Sequence, residues 1–204
     1  MTKRLAQRIA LAIIVLGLSS SLHARVAPAK FSTLVREADA VVLGRVVSVD
    51  TVSGVRIARV KVLQTYKGRR LEVLSFVAEP TWMCDISDAV PGETALLLLH
   101  SYIDSHNASE QPLFSPRASP EQLEASGAAK PIFLLMHSGR GRMPVRMIAK
   151  RQYVTLWVDD VRLPASTRTV PGPQPKSHQI RSLALNEIVK LMETGVASVA
   201  PPQE

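Results

Sequence analysis

From about residue 39 to residue 99 the chain alternates apolar runs of strand length with turn residues. The runs read ADAVVLGRVVSVD, RIARVKVLQTYKG, LEVLSFV and CDISDAVPGETALLLL, broken at 50–54, 67–70 and 91–92. Runs of this length bounded by Gly, Pro, Asp and Ser are the pattern of consecutive antiparallel strands. The first, 40–49, is apolar on both faces and carries Gly44, which marks a bulge or a close backbone approach. The second, 55–66, alternates: Ala58, Val60, Val62 and Tyr66 on one face, Arg59, Lys61 and Thr65 on the other. The third and fourth are 71–77 and 94–99.

Elsewhere the pattern is looser. Residues 31–38 suit a two-turn helix with Ser32 as N-cap. Residues 102–130 are rich in Ser, Pro, Ala and Glu and read as a surface excursion, with a short helix opening at Ser119-Pro120. Strand-like runs return at 132–136, 145–148 and 153–158, and 164–177 is a proline-rich connector. A closing helix is expected over 179–193, with Leu185, Ile188, Val189 and Met192 on one face and Gly195 beyond its end. The expected fold is mainly β: one domain over 31–195, an antiparallel barrel with a short N-terminal helix and a C-terminal helix, then a flexible tail over 196–204.

Residues 1–24 have the form of a signal peptide. Lys3, Arg4 and Arg8 precede the apolar run 9–18, and small residues lead to Ala24. A linker over 25–30 follows. Such a leader implies export to the periplasm or beyond, with no membrane span after cleavage, because the apolar run is shorter than the roughly 20 residues that crossing takes. The leader removes three of the 25 basic residues and none of the 17 acidic ones, which leaves 22 against 17 and a net charge of about +5. That balance suits an anionic partner, and export argues against nucleic acid. Cys84 is the only cysteine, so the monomer has no internal disulfide.

The sequence ADAVVLGRVVSV, the charged strand ending in YKG, a cysteine in the next loop and PGETALLLL together resemble the netrin-like fold of the tissue inhibitors of metalloproteinases, as it appears in small exported bacterial proteins. The resemblance covers residues 31–99, continues more weakly to the closing helix, and implies a five-stranded, partly open barrel of the oligonucleotide/oligosaccharide-binding type. The animal inhibitors reach a protease zinc through an N-terminal cysteine. This chain has no cysteine near its start, so the resemblance implies a fold and a binding role without that chelating edge.

Chemistry is sparse. His100, Asp104, His106 and His137 match no zinc-ligand spacing, and no nucleophile motif surrounds Cys84 or Ser138. Glu79, Asp85, Asp88 and Glu93 read as solvating acids. No catalytic residue, metal ligand or cofactor site is therefore assigned. The ligand-binding residues are Arg140, Arg142, Arg146, Lys150 and Arg151, a basic ribbon starting in the segment SGRGR, together with Trp82. The function expected is non-catalytic binding of an envelope protein or an anionic envelope polymer. A structural or assembly factor of the envelope is the second expectation, and a hydrolase or metal-dependent enzyme the third. Protein recovered from the envelope is expected to begin at Arg25; intact mass tests this, and a retained Met1 overturns it.

Overall fold

A computed structural model of the chain describes residues 28–52, 54–78, 88–102, 130–157, 161–172 and 180–197. Strand β1 (Ala29–Lys30) leads into helix α1 (Phe31–Glu37), then β2 (Ala40–Val52), β3 (Val55–Lys67), β4 (Val73–Val77) and β5 (Thr94–Ser101). After them come β6 (Ile132–Leu135), the helical turn α2 (Met136–Gly139), β7 (Arg142–Ile148), β8 (Arg151–Trp157), β9 (Val161–Arg162), β10 (Val170–Pro171), β11 (Ile180–Ala184) and helix α3 (Leu185–Ala197). Among the described residues no helix is long and apolar enough to cross a membrane.

Five strands make a barrel in the order β5-β2-β3-β4-β6, and β6 pairs with β5 through Leu99↔Leu135 and Ser101↔Phe133. That last pairing closes the ring, where a partly open barrel was expected. Its interior holds Val42, Val46, Ala58, Val60, Leu74, Phe76, Leu97, Leu99, Phe133 and Leu135, all buried. Gly44 sits here because a Cβ at this position would run into Val60 Cγ1.

A second core lies outside the barrel. The opposite faces of β2 and β5 (Val41, Leu43, Leu96 and Leu98) pack against Phe31 and Leu34 of α1, Met143, Val154 and Leu156 of β7 and β8, and Ile188 and Met192 of α3. Two-faced burial explains why VVL and ALLLL are apolar without alternation: each strand divides its side chains between two cores.

Several expectations are corrected: β4 and β6 pair in parallel within a barrel expected to be antiparallel, and Gly195 lies inside α3 and not beyond its end. Residues 180–184 form β11, which pairs antiparallel with β8 from Ile180↔Trp157 to Ala184↔Tyr153, so α3 starts only at Leu185. A short apolar run next to a helix reads equally as strand or helix, and here the free edge of β8 decides it. Helix α1 is capped by Lys30 without a side-chain hydrogen bond, not by Ser32. Tyr66 packs on the second core and not with Val60, because register shifts beside Leu63 and Tyr66 break the alternation of β3. The excursion over 102–130, apart from its two ends, and residues 1–27, which include the expected leader, lie outside the described residues.

The YKG segment ties these parts together. Tyr66 meets the second core, and Lys67 donates from Nζ to the carbonyls of Val35 (3.0 Å) and Arg36 (2.7 Å), closing the C-terminal end of α1. Gly68 turns at φ +87°, and a Cβ on it would lie 2.5 Å from the carbonyl oxygen of Asp39. Gly68→Ala is therefore expected to cost more than about 1 kcal/mol from the left-handed backbone alone, lowering Tm by at least about 3 °C. Thermal unfolding measures it; an unchanged Tm would show that the turn relaxes freely.

Candidate functional site

The barrel interior is no ligand cavity, since apolar side chains fill it. The structure divides the basic ribbon on the outside of the barrel into two unlike parts.

Residues 132–148 run antiparallel along one edge of β5, interrupted by α2. The chain rejoins β5 at Gly141, whose carbonyl accepts from Leu98 N–H (2.8 Å) while its own N–H reaches Met136 O (3.0 Å). A Cβ on Gly141 would collide with the Leu98 carbonyl oxygen. The glycine at 141 thus serves a close approach of backbone to backbone and not of backbone to ligand. Arg140 beside it is 8% exposed, and Arg142 donates from Nε and a terminal nitrogen to the two carboxylate oxygens of Glu93 at 2.6 and 2.5 Å. Both side chains of that pair are 15% exposed. The exposed ribbon expected from SGRGR is therefore, at Arg140 and Arg142, part of the fold. Glu93, read from sequence as a solvating acid, is the fixed partner of Arg142.

Arg146, Lys150 and Arg151 are exposed on the β7–β8 hairpin. Its two-residue turn places Ala149 and Lys150 at φ 47° and 65°, with Ile148↔Arg151 and Arg146↔Tyr153 as cross-strand pairs. Positive φ at both central residues suits the twist of a tight hairpin. Met147 and Ile148 stay 63% and 43% exposed beside these cations. None of the three cations makes an ion pair with another described residue.

The histidines are structural neighbours of acids. His100 Nδ1 lies 2.8 Å from Asp39 Oδ2, but out of line for a hydrogen bond, and that oxygen accepts instead from Ser101 N–H at 2.7 Å. His137 Nε2 is 3.6 Å from Glu37 Oε2. The two approaches place the end of α1 beside β5 and α2. Among the described residues no three His, Cys, Asp or Glu side chains are grouped to hold a metal ion. Asp88 is taken by Arg56 at 2.6 Å. Trp82, Cys84, Glu79, Asp85, Asp104 and His106 lie outside the described residues.

One feature escaped the sequence. A groove of about 950 Å³ runs between α3 and the sheet, lined by Gln64 and Tyr66 of β3, Arg151 and Gln152 of β8, and Asn186 and Glu193 of α3 among others. Burial raises the pKa of Tyr66, so its phenol stays protonated through the physiological range, and it donates to Gln64 Oε1 at 3.3 Å. These residues are spread over three distant elements, so no local motif announces them. No family model matches the chain, and no curated protein matches it.

The Arg142–Glu93 pair sets a stability expectation. Arg142→Ala and Glu93→Ala are each expected to destabilise the domain, with a coupling in the double-mutant cycle of about 1–3 kcal/mol, as suits a charged, two-bond contact shielded from water. Denaturant melts of the four proteins measure it. Coupling near zero would place both side chains in solvent instead.

Proposed function

We propose that the chain is an exported, non-catalytic binding module of the cell envelope, netrin-like in fold, which docks an anionic ligand on the β7–β8 hairpin. The observation that carries this reading is the contrast between a barrel filled with apolar side chains and a hairpin whose cations have no described acidic partner. Arg146 and Arg151 share one face of the hairpin with exposed Ile148, and Lys150 sits at the turn between the strands. Guanidinium forks match carboxylate and phosphate oxygens, and adjacent apolar side chains give such contacts a dry margin. The five-stranded barrel with its two helices supports the netrin-like reading, and the leader pattern of residues 1–24 supports export. Arg140 and Arg142 leave the ligand site in this reading, because burial and Glu93 occupy them.

The test is Arg146→Glu, Lys150→Glu and Arg151→Glu combined. Retention on envelope extract is expected to fall, and wild-type retention to weaken between low and moderate salt. Tm should stay within about 2 °C, because exposed positions away from special features tolerate change. Unchanged retention would reduce the hairpin to a solvated edge.

A further inference from the structure

We propose that the groove beside α3 binds an acidic oligosaccharide: a hydroxyl-rich chain with carboxylates spaced along it. The inference rests on the hairpin reading and names the class of anionic polymer involved. At about 950 Å³ the groove falls in the size range of small-molecule and oligomer sites, roughly 300–1,000 Å³. Half of its polar side chains both give and accept hydrogen bonds, and the other half, Arg151, Glu187, Lys190 and Glu193, balance in charge. Gln64, Gln152 and Asn186 bring three amides, each with an acceptor oxygen and two donor hydrogens, and Tyr66 brings a protonated phenol. A sugar hydroxyl is likewise both donor and acceptor, so neighbouring hydroxyls pair with amides in either direction.

Charge narrows the class further. Glu187 at the groove wall is met by Lys190 at 3.0 Å, while Glu193 has no described cation. A chain charged at every unit, such as a polyphosphate, would bring its charge against Glu193. A chain of hydroxyls with separated acids would offer Glu193 a donor and carry its own carboxylates elsewhere. Arg151 supplies the place: it lines the groove and is also the first residue of β8, one step past the hairpin turn. A chain leaving the groove past Arg151 meets Lys150 and then Arg146, so hydroxyls are read in the groove and carboxylates on the hairpin.

Calorimetric titration of the full-length protein with three probes tests this: a hexasaccharide that alternates glucuronic acid with N-acetylglucosamine, a neutral glucose hexamer and polyaspartate of equal charge. The uronate hexamer is expected to bind at least about tenfold more tightly than either of the others. Gln64→Ala and Gln152→Ala, both at exposed positions, should each weaken it by about two- to tenfold, with melting unchanged. Arg151→Glu should remove binding. Equal binding of polyaspartate with no effect of the glutamine changes would overturn the sugar inference while leaving the anionic hairpin standing. Equal binding of the neutral hexamer would overturn the acidic part. No binding of the uronate sinks the inference outright, and the envelope retention of the triple reversal judges the hairpin reading separately.

Discussion

Everything in this fold depends on β5 being buried on both faces and hydrogen-bonded on both edges. One edge pairs with β2 from Arg45↔Thr94 to Ala40↔Leu99. The other is divided, with β7 against residues 95–97 and β6 against residues 99–101. Ala95, Leu97 and Leu99 face the barrel, and Leu96 and Leu98 face the helices. A single polar side chain at any of these positions would lose solvent without gaining a partner in an apolar core. That is the physical content of the run ALLLL, and it leaves the strand no room for chemistry.

The polar residues nearest this strand are fasteners. Lys67 closes the end of α1, Asp39 takes the amide of Ser101, and Glu93 grips Arg142 where β7 departs from β5. Each joins segments distant in sequence, so each restrains how the barrel and the outer sheet meet. Charges spent in this way are withdrawn from recognition, while the hairpin and the groove beside α3 keep polar groups that no described ion pair occupies.

Strands and turns of residues 39–99 were legible because period-two alternation, two-faced apolar runs and glycine turns are local signals. Gly44 was legible for the same reason: glycine inside a strand has few uses. The fate of this segment was not, because Arg142 is held by Glu93, nearly fifty positions away, and Gly141 by a backbone contact with Leu98, which buries Arg140 beside them. In sequence, SGRGR looks like an exposed loop; in space it is the seam between two sheets. Residues 179–184 misled differently: their apolar content suited a helix, and only the edge of β8 made them a strand. The groove was invisible because it is assembled from β3, β8, the end of β11 and α3, none of which has a distinctive pattern at those positions.

The register shift beside Leu63 has a wider meaning. One extra residue there turns the second half of β3 over, so that Val60 fills the barrel while Tyr66 faces the outer core and the groove. A strand without that residue would serve a single interior from end to end. The insertion makes β3 a hinge of orientation: its first half serves the barrel, and its second half is shared between the outer core and the groove. Change at Gln64 can therefore reshape the groove without touching the barrel interior, whereas Tyr66 stays tied to the outer core.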